Sequence, residues 1–145
     1  MVQNVTLKAM AQLSDDQLDF RPTAEVKTVR ELLSHMFGSE RALAESITSR
    51  KLTEEGQTAA EAEGTKTKTV AELIAFARDC HARAKAALEK ATEEQLAEPV
   101  TAFYGSFPGW QLLMFAYDEH WHHRGQFYTY LRLLGITPVM LYSYE

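Results

Sequence analysis

The sequence holds a single cysteine, Cys80, which excludes an internal disulfide and makes a reducing cytoplasm the expected setting. It has no apolar run as long as a membrane span needs, and the opening MVQNVTLKAM lacks the apolar stretch of a secretion signal. Neither membrane insertion nor export is expected. Positive charge is scarce and scattered: 15 lysines and arginines face 20 acidic residues, for a net charge of −5. Without a basic cluster there is no electrostatic footprint for nucleic acid. No segment carries a convincing strand pattern. Internal repeats and linker-like composition are also missing, which leaves one domain over residues 1–145. What is present is a globular composition, 46% hydrophobic and 24% charged, long enough to bury a core.

Helical periodicity supplies the architecture. A short first helix is expected over Val2 to Leu13, and SDDQ at 14–17 starts a further turn. Thr28 and Glu31 have capping-box spacing at the head of a second helix that runs to about Arg50. Its apolar stripe is Val29, Leu32, Leu33, Met36, Leu43 and Ile47. Residues 51–68 are polar and contain two glycines, and read as a long loop. Thr69 and Glu72 cap a third helix to about Lys90, and TEEQ at 92–95 marks another short turn. PVTAFYGSFPG reads as irregular. The fourth helix runs from near Pro108 to about Leu134, where Gly135 and Pro138 stop it. Four amphipathic helices give an all-α four-helix bundle, with 51–68 and 91–107 as long connections that allow crossovers or rim a pocket.

The chemistry concentrates in DEHWHHRGQ, residues 118–126, inside the fourth helix. At 100° per residue, Leu112, Phe115, Ala116, Phe127, Tyr130 and Leu131 share a broad face, and Glu119 and His123 project into its middle. Asp118 and His122 point the other way. A carboxylate and an imidazole at i, i+4 on an apolar stripe are costly unless they pair, hydrogen-bond or bind metal. His35 sits on the shoulder of the second helix's stripe, and Gly38, Ser39 and Ala42 are small enough to let a neighbouring backbone or a ligand approach it. His35, Glu119 and His123 make a two-histidine, one-carboxylate set. Three protein ligands leave a position open for water or substrate, the arrangement of catalytic metal sites. The donor types suit zinc first, then nickel or iron(II), rather than calcium or magnesium. His81 lies on the third helix's inward stripe and is a rival ligand. The competing reading makes these residues a core hydrogen-bond network, with Glu119 paired to Arg124 and His120 bonded to backbone. Cys80 has no clear base beside it, which is weak ground for nucleophilic catalysis. Tyr104, Phe107, Trp110 and Phe115 read as core and pocket wall.

LSDDQLDFRP followed by TVRELLSHM, and HHRGQFYTYLRLLGITP near the end, resemble the DinB/YfiT-like family of metal-binding four-helix bundles. The resemblance covers nearly the whole chain. It implies a bundle in up-down-down-up order, frequent homodimers, and a divalent metal held by three histidines, the first of them at His35 and the last at His123. It also implies a small-molecule substrate and, by analogy with thiol-dependent S-transferases and isomerases, a low-molecular-weight thiol as cosubstrate; a related metal-dependent hydrolase is also within its scope. The chain departs from the family pattern at Glu119, where a histidine is usual. That carboxylate lowers the Lewis acidity of a bound ion and leaves metal loading open. The alternative to an enzyme is a non-catalytic bundle that binds a small molecule or has lost its metal. A homodimer is expected to bury bundle surface near the short first helix or near the tail LYSYE, with Tyr142 and Tyr144; an ordered strap across its own bundle is the alternative for that tail.

Overall fold

The computed structural model describes residues 2–143. The fold is predominantly helical: α1 (Val2–Met10), α2 (Val29–Ser49), α3 (Glu54–Thr65), α4 (Val70–Lys90), α5 (Glu93–Ala97) and α6 (Gly109–Leu133), with a 3-10 turn at Asp15–Asp19. The capping boxes form as their spacing predicts. Glu31 N–H donates to Thr28 Oγ1 at 3.1 Å while Thr28 N–H donates to Glu31 Oε2 at 2.8 Å. The same reciprocal pairs close Thr69–Glu72 and Thr92–Gln95. Each satisfies N–H groups that a helix start otherwise leaves without partners. At the other end of α6, Gly135 adopts φ +78°, the left-handed conformation that ends helices. No described helix is long and apolar enough to cross a membrane.

Two expectations fail. The polar stretch 51–68 is not a loop but contains α3, capped by Thr53, whose side chain accepts from Gly56 N–H at 3.0 Å. The reason it escapes a periodicity reading is that only Ala60 and Gly64 of α3 are buried, so there is no large apolar stripe to see. The second failure is the absence of strands. Lys51–Leu52 forms β1, Pro99–Ala102 β2 and Gly105–Pro108 β3. β1 pairs parallel to β2, and β2 pairs antiparallel to β3 around Phe103 and Tyr104, with Val100 opposite Phe107. Strands of two to four residues hold too few alternations for a pattern, and the β1–β2 pairing across 50 positions is decided by tertiary contact.

The core comes in two parts. Leu33, Met36, Phe37, Leu73, Ala77, Phe127 and Leu131 belong to one apolar cluster, and Leu43, Leu52, Val100 and Leu112 to the other. On α2 the changeover falls between Phe37 and Ala42; on α6 it falls between Ala116 and Phe127. Ser39, Glu40 and Arg41 of α2, with His35 just before them, and Glu119, His120 and His123 of α6 fall at this changeover, so a polar belt crosses the molecule between two apolar ends. The last described residues lie along α1: Gln12 binds Thr137 O at 2.9 Å and accepts from Val139 N–H, and Lys8 Nζ donates to Ser143 O. Tyr142 is exposed. Tyr144 lies outside the described residues.

Candidate metal centre

The structure brings His35, Glu119 and His123 together, each offering one ligand atom within 4.8 Å of the other two. Glu119 Oε2 lies 2.8 Å from His123 Nε2 and 3.7 Å from His35 Nε2. A tetrahedral ion with bonds of about 2.1 Å separates its ligand atoms by roughly 3.4 Å, so the spacing is close to what an ion needs. Glu119 is less buried than its place on the stripe predicts, its side chain 45% exposed against 20% for His35.

Both imidazoles are oriented from behind. His35 Nδ1 bonds Glu61 Oε1 at 3.0 Å, and His123 Nδ1 bonds Gln126 Oε1 at 2.8 Å. An oxygen acceptor at Nδ1 selects the Nδ1–H tautomer and leaves the Nε2 lone pair facing the centre, as outer partners of metal-bound histidines do. Burial pushes Glu61 up, but hydrogen bonds from His35, Gln57 and Ser39 outweigh it and hold the carboxyl below the usual range. Burial also pushes His123 down, toward the neutral form that ligates metal. His123 Nε2 and Glu119 Oε2 face each other at 2.8 Å, a contact that either a proton on the ring nitrogen or a cation between the two satisfies.

Glu61 is the site residue that sequence reasoning missed, because it lies on the unrecognised α3. The signal was the small residue at Gly38. A Cβ there would sit 2.9 Å from Glu61 Cα, N and Cγ, so only glycine lets α3 lie this close to α2. At Gly64 a Cβ would fall 2.4 Å from Ser34 Oγ. The expected close approach to His35 is thus made by the backbone of α3.

A cavity of about 510 Å³ opens from the centre, lined by His35, Glu119, Leu43, Phe103, Tyr104 and Phe115, with Phe107 beside them. The β2–β3 hairpin supplies its aromatic wall, a role foreseen for Tyr104, Phe107 and Phe115. Trp110, grouped with them, is instead exposed.

The remaining histidines go elsewhere. His122 and Asp118 are exposed as expected, and Gln126 Nε2 bonds His122 at 3.0 Å. His81, the rival ligand, does not approach the centre; it bonds Glu40 Oε1 at 2.7 Å. His120 is buried and bonds the Thr6 hydroxyl at 2.9 Å rather than backbone. Arg124 does not pair with Glu119; it is buried with its guanidinium 3.8 Å above the Trp121 ring. Burial pushes the Cys80 thiol up to about 12, which removes it as a nucleophile at neutral pH.

Comparison with known proteins agrees with this frame. The DinB family profile matches residues 1–145. The uncharacterized protein YjoA of Bacillus subtilis (strain 168) is 28% identical over 144 residues, which covers 97% of this chain and 89% of YjoA. The crystal structure of YjoA, described as a DinB-like protein, superposes with a TM-score of 0.73 over 92% of this chain and 86% of that one. A mycothiol-dependent maleylpyruvate isomerase superposes with a TM-score of 0.70 over 85% of this chain, at 16% identity, a likeness of fold. This chain spans only 55% of that longer protein. Matched along its whole length by the family's own pattern, and folded like a relative of nearly the same size, the chain belongs to the DinB family.

Proposed function

We propose that this protein is a divalent-metal enzyme in which His35, Glu119 and His123 hold the ion, and that it transfers a low-molecular-weight thiol to a small substrate or carries out a related hydrolysis. The observation that carries the reading is the 2.8 Å contact between His123 Nε2 and Glu119 Oε2, with both histidine Nδ1 atoms already committed to oxygen acceptors. A cation relieves that contact, and the donor set suits zinc first, with nickel or iron(II) as alternatives. When bound, such an ion lowers the pKa of a thiol or water and polarises a substrate oxygen. The chain's own residues supply the rest. Glu61 and Gln126 fix the tautomers and ring planes. Phe103, Tyr104, Phe107 and Phe115 receive the apolar part of a substrate and exclude water from it. The fold shared with a mycothiol-dependent isomerase is what brings a thiol into the reading.

The finer architecture belongs to the same proposal. Gln3 reaching Ala77 O, His81 meeting Glu40, and Thr6 meeting His120 support an up-down-down-up order of α1, α2, α4 and α6. Trp110, Met114 and Tyr117 are exposed on adjoining positions of α6, which supports a homodimer rather than a lone chain. A second reading rests on Glu61, whose carboxylate gathers bonds from His35, Ser39 and Gln57: a non-catalytic bundle with a polar network. Metal analysis of untagged protein, purified without added metal and then titrated with zinc, tests the choice. One ion per chain, lost in His123→Ala, supports the enzyme, and thiol-dependent turnover of an electrophile panel then defines it. Failure to take up any divalent ion sinks it in favour of the network. Light scattering at high micromolar protein tests the dimer.

A further inference from the structure

A second cavity is larger than the one at the metal centre. It lies on the other flank of the α2–α6 contact and has a volume of about 600 Å³. Its wall is mostly apolar, with Val2 from α1, Ala44 from α2, Ala84 and Leu88 from α4, and Leu113 and Ala116 from α6. At its polar end stand Glu40 and His81, joined by a 2.7 Å bond from His81 Nδ1 to Glu40 Oε1. His120 stands behind the carboxylate, 3.6 Å from Glu40 Oε2, and its other nitrogen is bonded to Thr6. Glu40 Oε2 is itself shielded from solvent. Glu40 thus reaches the cavity's polar end with its Oε1 taken by His81 and its Oε2 turned toward His120. The group presented to the cavity is the His81 ring, whose side chain is 43% exposed.

We propose that this cavity is a second binding site, for a phenol or a similarly weakly acidic hydroxyl on an apolar body. The chemistry follows from the dyad. Glu40 fixes His81 as the Nδ1–H tautomer and makes its Nε2 an electron-rich acceptor, the arrangement in which a carboxylate orients an imidazole base. A complementary ligand must donate one hydrogen bond to Nε2 and fill an apolar volume of pocket size. A phenol does both while uncharged, so its apolar body enters without the desolvation cost of an ion. A carboxylate presents only acceptors to an acceptor. Lys85 on the cavity wall is paired with Glu89 at 3.7 Å, so the wall offers no unpaired charge to an ionic ligand. The site does not rest on the metal-centre reading, since none of its residues is shared with it.

The test uses a matched pair, 4-ethylphenol and 4-ethylanisole, which differ only in whether the oxygen can donate. Binding is followed by the methyl NMR signals of Ala84, Leu88 and Leu113. The phenol should bind saturably, about tenfold tighter than the anisole, the worth of one buried hydrogen bond. His81→Gln, at a half-exposed position that the fold tolerates, should level the pair, and Glu40→Gln should narrow the gap. His123→Ala should leave it unchanged. Equal binding of phenol and anisole to the intact protein overturns the proposal, as does an undiminished phenol preference in His81→Gln. Shifts confined to residues around Phe103 and Phe115 would assign the phenol to the other cavity and also overturn it.

Discussion

Two histidine–glutamate clusters flank the α2–α6 contact, built from the same residue types and wired in opposite senses. Around Glu119, the histidine Nδ1 atoms bond outward to Glu61 and Gln126, and the Nε2 atoms of His35 and His123 converge on the carboxylate. Around Glu40, the histidine Nδ1 atoms face the carboxylate, and the Nε2 atoms diverge, one to Thr6 and one to the cavity. The first arrangement leaves three lone pairs aimed at one point. The second surrounds a carboxylate with imidazoles and leaves nothing for an ion to gather. Composition does not make a metal site; the direction of the ring nitrogens does, and that is set by what bonds each ring from behind.

The largest effect should separate the clusters outright. His123→Ala should weaken zinc binding at least a hundredfold in a competitive chelator titration, Glu119→Ala should weaken it less, and Glu119→His should tighten it. His81→Gln should leave zinc affinity as it was. If His81→Gln weakens zinc and His123→Ala does not, the assignment of the two clusters is reversed.

Next in size is the acid response of the Glu40 cluster. Burial alone would push Glu40 up, but its bonds from His120 and His81 outweigh it and hold the carboxyl at about 2, against 4.5 for a free glutamate. A carboxyl depressed in the folded state stabilises the fold above pH 4.5, and that contribution is lost as pH falls toward 2. The full linkage amounts to at most about 3 kcal/mol. Urea unfolding should therefore show wild type well ahead of Glu40→Gln at pH 7, with the gap shrinking by pH 3. A gap constant over that range would mean that Glu40 contributes packing only.

Glu61→Gln probes the wiring of the first cluster without touching a ligand. Loss of an orienting carboxylate costs about 10–100-fold in metal affinity. Zinc titration of this variant should fall in that range with the fold unchanged by circular dichroism, and wild-type affinity would show that Glu61 does not orient His35.

The smallest effects concern two glycines. Gly38→Ala should destabilise by about 1–2 kcal/mol, because its Cβ meets the α3 backbone, and should loosen metal as Glu61 withdraws. Gly125→Ala has nothing within 4 Å of the new Cβ and should stabilise α6 by about 0.5–1 kcal/mol. Thermal melts of the pair decide it: equal shifts would mean that α3 is not held closely at Gly38.

The three ligand candidates were legible because each lies on a long helix whose stripe is read by counting, and because Glu119 and His123 stand one turn apart. The assignment of His81 as a rival was not resolvable, since a stripe shows which residues face inward but not which neighbour they meet. Glu61 was invisible for another reason. Its helix buries only small residues, so hydrophobic periodicity has nothing to register. The hairpin that walls the cavity escaped because its strands are only four residues long, and its place in the fold is set by the pairing of β2 with β1, 50 positions away.

What the sequence by itself determined is local. Caps, the α6 stop at Gly135, the apolar stripes and the i, i+4 pairing of Glu119 with His123 depend on residues within a turn or two of each other, where backbone geometry converts spacing directly into position. What only the tertiary structure decided is everything that needs two distant segments at once. That includes the docking of α3 onto Gly38, the division of the histidines into a converging and a diverging cluster, and the aromatic wall. A hydrogen bond between side chains 26 or 41 positions apart has no local energy to announce it, and forms only when packing has already brought its partners within reach.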